Sequence, residues 1–183
     1  MNDWAQIVRE YGPIVWKTAY RLLGVQADVN DCFQDTFLCA WKQSQLEPIR
    51  NWPGFLKRLA TTRALDRLRA RSRDGAQLSQ LSDTLDVISN VSEPYELAQS
   101  SELAEHLRCA LAIIDERQAE VFCLACVEEM EYRQISQQLD ISVNYVGVLL
   151  NRAKTNLRDH LCAHAPIPSA RNPNKQEEGK ERP

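Results

Sequence analysis

Between Tyr132 and Arg158 the apolar residues recur every three or four positions, break briefly, and then resume. Tyr132, Ile135 and Leu139 mark one short helix, and Val143, Val146, Leu149, Leu150, Ala153 and Leu157 mark the next, each set falling on one helical face. The break at Asp140 to Ser142 suits a tight turn. Asp tolerates the left-handed conformation that ends a helix, and a Ser hydroxyl can cap the backbone of the helix that follows. With Ile135, Leu139, Ile141 and Val146 turned inward, the pair has helix-turn-helix geometry, which presents its second helix to a DNA major groove. Asn144, Tyr145, Gly147, Val148, Asn151, Arg152 and Lys154 are then the exposed residues. The segment from Ser142 to Arg158 carries three basic residues and no acid.

The rest of the chain is helical in pattern as well. Trp4, Ile7, Val8, Tyr11, Val15, Ala19, Leu22 and Leu23 predict a first helix over about residues 3–23, kinked at Pro13. Val29, Cys32, Phe33, Phe37, Ala40 and Trp41 predict a second over 28–43, with Asn30, Asp31, Gln34, Asp35 and Lys42 on its opposite face. A third starts near Trp52 and Pro53, since proline is tolerated in a first turn, and its stripe is Trp52, Phe55, Leu56, Leu59, Ala60, Ala64, Leu65 and Leu68. Two further helices, one through Leu103 to Ile114 and one through Val121 to Ala125, precede the helix-turn-helix. The expected fold class is therefore all-α.

Net charge is only −3, so the overall balance does not mark a polyanion binder. Its distribution does. From Arg50 to Arg73 eight basic residues face one acid, Asp66, whereas from Asp74 to Glu105 there are seven acids and no Lys or Arg. Opposed blocks of this size create local fields that steer charged partners. An aromatic and basic third helix could hold single-stranded nucleic acid by ring stacking and phosphate contact. Core packing would equally explain Trp52 and Phe55.

The stretch 72–95 is rich in Ser, Asp, Gln and Asn, includes Gly75 and Pro94, and reads as a flexible acidic linker. The proline-rich end of the sequence reads as disordered. The expected division is 1–73, a first helical domain; 74–98, the linker; 99–163, the helix-turn-helix domain; and 164–183, the tail. No apolar run approaches the roughly 20 residues of a membrane span, and residues 1–10 lack the basic-then-apolar pattern of a secretory signal, so a cytoplasmic location is expected.

Six cysteines fall at apolar helical positions, which in a reducing compartment suits free thiols rather than disulfides. Cys123 and Cys126, with His160, Cys162 and His164 further on, permit a zinc or redox site to be imagined. Their helical setting favours burial instead, and no metal or other cofactor is expected. There is no glycine-rich phosphate loop and no H-E-x-x-H, and His106, His160 and His164 are not arranged with a nucleophile. An enzyme is not indicated. A dimeric helix-turn-helix regulator would account for the second half but would have no use for the basic third helix.

Three runs taken together resemble the extracytoplasmic-function class of bacterial sigma factors, which retain sigma domains 2 and 4. The run Asp31-Cys32-Phe33-Gln34-Asp35-Thr36-Phe37-Leu38-Cys39-Ala40-Trp41 is similar to that family's polymerase-binding helix. Arg63-Ala64-Leu65-Asp66-Arg67-Leu68-Arg69 is similar to its promoter-melting helix. Tyr132-Arg133-Gln134-Ile135-Ser136, followed by Asn151-Arg152-Ala153-Lys154-Thr155-Asn156-Leu157-Arg158, is similar to its domain 4 reader. The resemblance implies a factor that binds core RNA polymerase, directs it to chosen promoters and helps open the DNA. Asp31, Gln34, Asp35 and Leu38 would meet the beta-prime clamp helices. Asn51, Trp52, Lys57, Arg58, Thr61, Thr62, Arg63 and Arg69 would meet the minus-ten element, and Arg133, Ser142, Asn144, Tyr145, Gly147, Val148, Asn151, Arg152 and Lys154 the minus-thirty-five element. It further implies an anti-sigma factor as a regulatory partner. Gly147 and Leu149 stand where the family often has Lys or Arg.

Overall fold

The structure, a computed structural model, describes residues 3–81 and 95–164. Its order is α1 (Trp4–Leu23), α2 (Gln26–Leu46), α3 (Trp52–Leu81), α4 (Tyr95–Ile113), α5 (Glu116–Phe122), a π-helical turn (Cys123–Val127), α6 (Tyr132–Leu139) and α7 (Val143–His164). All regular structure among the described residues is helical, as the apolar spacing required. None of these helices is long and apolar enough to cross a membrane.

Local chemistry sets the helix ends. Asp3 Oδ1 accepts from the Ala5 and Gln6 amides at 3.1 and 3.2 Å, supplying α1 with an N-cap. Gly24 closes α1 in the left-handed region at φ 70°, where a glycine meets no Cβ penalty. Pro13 lies within α1 without ending it; it is exposed, so the carbonyl it leaves unbonded can turn to water.

Helices α1, α2 and α3 form a three-helix unit. Ile7, Val15, Phe37, Ala40, Leu56 and Ala60 are buried at one end, with Trp4, Tyr11, Phe33, Trp52 and Phe55 packed around them. In the second half, Val121, Leu124, Met130, Ile135, Leu139, Val146, Leu149 and Leu150 are buried together and fix α6 and α7 against α5. Each fully buried side chain of this size contributes about 1.5–3 kcal/mol relative to exposure.

The two units share a third core. Ala19, Leu22, Leu23, Val29, Cys32, Leu65 and Leu68 of the first half pack with Ala110, Leu111, Ile114, Ala119, Cys123, Ala153 and Leu157 of the second. The halves are thus joined by apolar surface as well as by the connecting chain.

Two local expectations are corrected. The backbone remains helical to Leu81, eight residues into the segment expected as linker, because an isolated glycine such as Gly75 is tolerated inside a run of helix formers. Residues 95–98 are helical too; 82–94, and 165–183 of the expected tail, lie outside the described residues. Trp41, expected on the buried stripe of α2, is 47% exposed.

Candidate nucleic-acid and protein interfaces

Three surfaces gather the candidate residues. The first lies on α2, where positions 31, 34, 35 and 38 fall on one side at successive turns. Asp31 and Gln34 are exposed, Asp35 is half-buried, and Leu38 is 56% exposed. Arg67 of α3 holds the two carboxylates: its guanidinium lies 2.6 Å from Asp35 Oδ2 and 3.5 Å from Asp31 Oδ2. Arg71 pairs with Asp28 at 3.3 Å, so the acidic edge of α2 is fixed along two turns of α3. Beside it runs an apolar groove of about 550 Å³ lined by Trp4, Val8, Phe33, Phe37, Leu38 and Trp41. Exposed Leu38 and Trp41 next to ordered carboxylates make a surface suited to a protein partner. The periodicity alone assigned Trp41 to the core; its i, i+3 relation to Leu38 is the signal that could have found it.

The second surface lies on α3. Asn51 starts the helix, its Oδ1 accepting from the Gly54 amide at 3.1 Å. Trp52 is half-buried in an aromatic cluster, its ring 5.7 Å from Trp4 edge-on and 6.5 Å from Tyr11 in a stack, so its main contacts are structural. Thr61 is fully buried and faces the helix bundle, which removes it from the set that can touch a ligand. Arg69 is mostly covered, with 20% of its side chain exposed and Asp66 3.9 Å away. The residues that do come together are Arg58, Thr62 and Arg63, which with Cys39, Lys42 and Phe55 line a cleft of about 370 Å³ between α2 and α3. Arg63 Nη2 donates to Cys39 Sγ at 3.1 Å. Lys42 was placed by its spacing on the polar face of α2, but only the packing of α2 on α3 brings that cation to the cleft.

Two acids of the second half, which spacing did not single out, also meet α3. Thr62 donates its hydroxyl to Glu120 Oε1 at 3.0 Å, and Arg58 Nε lies 3.6 Å from the same oxygen. Lys57 Nζ donates to the Glu128 carbonyl at 2.9 Å and lies 3.6 Å from its carboxylate.

The third surface is the helix-turn-helix. Asp140 ends α6 in the left-handed region (φ 52°, ψ 50°), its amide donating to the Ser136 carbonyl. Ser142 Oγ accepts from the Tyr145 amide at 3.2 Å, the cap expected of it. Arg133, Asn144, Tyr145, Val148, Asn151, Arg152 and Lys154 are exposed, while Leu149 is buried. Gly147 is half-buried, and a Cβ there would meet only the Tyr132 ring, at 3.9 Å. Tyr132, 44% exposed, thereby joins this surface. Its cations are Arg133 on α6 and Arg152, Lys154 and Arg158 on α7, the last 3.7 Å from Asp159.

The cysteines build no comparable site. Cys123 is buried and Cys126 exposed, so the C-x-x-C does not present two thiols to one ligand. Burial pushes the Cys123 thiol upward, and pushes that of Cys32 up to about 11, away from the thiolate a metal requires. Among the described residues no group of three or more His, Cys, Asp or Glu side chains could hold a metal ion.

Two family models match the chain in order: Sigma-70 region 2 over residues 7–74 and Sigma-70, region 4 over 104–157. The ECF RNA polymerase sigma factor SigE of Mycolicibacterium smegmatis is 28% identical over 166 residues, covering 90% of this chain and 64% of that protein. The chain therefore spans less than two thirds of that relative's length. The ECF RNA polymerase sigma factor SigW of Bacillus subtilis is 24% identical, covering 87% of this chain and 89% of its own. Among solved structures, CnrH in complex with the cytosolic domain of CnrY aligns with a TM-score of 0.53 at 21% identity, covering 88% of this chain and 89% of that one. The sigma factor RpoE in complex with the anti-sigma factor NepR from Bartonella quintana aligns with a TM-score of 0.51, also at 21% identity, covering 90% of this chain and all of that one. These two likenesses concern the fold.

Proposed function

The chain belongs to the extracytoplasmic-function class of sigma factors, and on that footing we propose that it binds core RNA polymerase in the cytoplasm, selects promoters and assists their opening. The observation that carries this reading is the occurrence, in order on one chain, of the region 2 and region 4 matches. Its work is binding rather than catalysis.

In this reading the first domain, 1–73, meets polymerase through α2. Asp31, Gln34, Asp35 and Leu38 engage the beta-prime clamp helices, with Trp41 extending the contact. The apolar pair supplies burial while the carboxylates, oriented by Arg67, supply charge complementarity and register. The cleft beside α3 takes the unpaired minus-ten strand. Lys57, Arg58 and Arg63 neutralise phosphates, Thr62 offers a hydroxyl, and Asn51 stands at the helix start. DNA opening follows from capturing bases only after they leave the duplex, because every base held single-stranded is withdrawn from re-annealing.

The helix-turn-helix domain, 99–163, reads the minus-thirty-five element as duplex. Arg152, Lys154 and Arg133 anchor phosphates, and Ser142, Asn144, Tyr145, Gly147, Val148 and Asn151 approach the groove. With few cations on α7, this domain shares the affinity with the first rather than supplying it alone. The segment 74–98 spans the polymerase between the two contacts. Regulation by an anti-sigma factor belongs to the same proposal; RpoE, of like fold, was solved in complex with the anti-sigma factor NepR.

Promoter opening is tested by permanganate reactivity of thymines in the expected minus-ten region when core polymerase and this chain are added together. Reactivity that needs both proteins, and is lost in Lys57→Ala/Arg58→Ala, is the expected result. Opening by core alone, or by that variant, would contradict it.

A further inference from the structure

Within α7 the residues farthest from the core form one stripe. Val146, Leu149, Leu150, Ala153 and Leu157 are buried, so the helical repeat gives the opposite side to Asn144, Val148, Asn151 and Thr155, spaced by four, three and four residues. All four are exposed and none is charged. The cations of α7 lie on the flanks of this stripe, Arg152 on one side and Lys154 and Arg158 on the other. A helix in a major groove meets phosphates along each wall and base edges between them. Here cations stand toward the walls, and two amides and an isopropyl group face the bases.

We propose that the first turns of α7 select A·T pairs by direct contact with their base edges, through Asn144, Val148 and Asn151, and carry no selection for guanine. The inference rests on the reading of α7 as the helix that enters the minus-thirty-five duplex. A side-chain amide offers an acceptor and two donors, which match the N6 amino group and N7 of adenine. Asn144 and Asn151 keep those groups for a ligand: among the described residues neither side-chain amide is engaged within the chain, whereas Asn156 donates its own to Gln118 Oε1 at 2.7 Å. Val148, 44% exposed, lies between them and can cover the C5 methyl group that marks thymine in the groove. Thr155 brings no donor to a base, because its hydroxyl bonds to the Asn151 carbonyl at 3.1 Å. Guanine is most often recognised by an Arg or Lys on O6 and N7, and the stripe holds neither. From Asn144 to Asn151 the helix rises about 10 Å, roughly three base-pair steps.

The probe is a pool of duplexes with a randomised block, selected on core polymerase carrying the full chain, with core alone as the control, and the retained duplexes are sequenced. The expected result is an enriched run of A·T pairs that is lost in Asn144→Ala/Asn151→Ala, while Arg152→Ala lowers retention of every sequence alike. In the selected duplex, 7-deazaadenine removes the N7 acceptor of adenine and uracil removes the methyl group of thymine. The first is expected to weaken binding about tenfold and the second about threefold. Val148→Arg, which places a forked donor on the stripe, is expected to move the preference beneath it to G·C.

The substituted positions are exposed, so circular dichroism is expected to show an unchanged fold. The base analogues need only the parent chain and carry the test should a variant fail to fold. A G·C-rich run that depends on Asn144 and Asn151 would overturn the inference and leave the minus-thirty-five reading standing. So would an A·T-rich run indifferent to uracil and 7-deazaadenine, because selection would then come from the shape of the duplex rather than its base edges. Enrichment in which no run depends on α7 would overturn both, since that helix would then read no base. No enrichment over core alone would remove selection by the chain altogether, and the inference with it.

Discussion

The Thr62 hydroxyl donates to Glu120 Oε1 at 3.0 Å across 58 residues of sequence, joining the basic helix of the first half to a buried acid of the second. A residue assigned to promoter DNA by its place in the sequence thus has an intramolecular partner. The same holds one turn away, where Lys57 meets Glu128. On the proposed reading of Lys57 and Thr62 as a promoter surface, DNA has to compete with these contacts.

Leu38 is 56% exposed, so replacing it should leave folding almost untouched, within about 0.5 kcal/mol. Leu38→Asp is expected to lower affinity for core polymerase at least about tenfold, by placing an uncompensated charge in an apolar contact. Co-purification with core, beside an unchanged denaturation midpoint, checks this. Unaltered core binding would remove α2 from the interface.

Arg152 is exposed on α7 and belongs to none of the ion pairs described above. Arg152→Ala should weaken binding to promoter duplex and lower the slope of log affinity against log salt by about one. Core binding should not change. Titrations at several salt concentrations check it, and an equal fall in core binding would show that the surfaces are not divided as described.

Gly147 lies inside α7 with only the Tyr132 ring near the position of an added Cβ, at 3.9 Å. Gly147→Ala should therefore stabilise the chain by about 0.5–1 kcal/mol through the lower entropy of the unfolded backbone. Urea unfolding measures this. A loss of stability would mean that α7 and α6 pack more tightly at Tyr132 than these contacts indicate.

Cys109, Cys126 and Cys162 are exposed, whereas Cys32 and Cys123 are buried. At pH 8 a disulfide reagent should modify the exposed three quickly and the buried two only on unfolding. Burial raises the Cys32 thiol from 9.0 to about 11. The unfolded chain therefore releases that proton first, and stability should decline as pH rises from about 9 through 11. Rapid modification of all six thiols in the folded chain would contradict this packing.

The helix-turn-helix was legible because its determinants are local. Ile135, Leu139 and Val146 are buried as their spacing required, and the left-handed Asp140 and the Ser142 cap each depend on a few neighbouring residues. The all-helical class followed from the same periodicity. What the pattern missed depends on long-range packing. Glu120 and Glu128 are ordinary polar positions until α3 is laid against them. Thr61 and Thr62 are adjacent and chemically alike, yet one is fully buried and the other reaches Glu120. The π-helical turn at Cys123–Val127 also shifts the helical phase before Glu128, so a period of 3.6 could not carry the pattern across it.

Run-off transcription tests the central claim most directly. Core RNA polymerase, this chain and the DNA upstream of its own gene are combined, and the products are sized. A discrete transcript that requires the chain, and that is lost with Leu38→Asp and reduced with Arg152→Ala, is the expected result. No discrete product across a broad set of promoters, from folded protein at saturating concentration, would contradict a role in promoter selection.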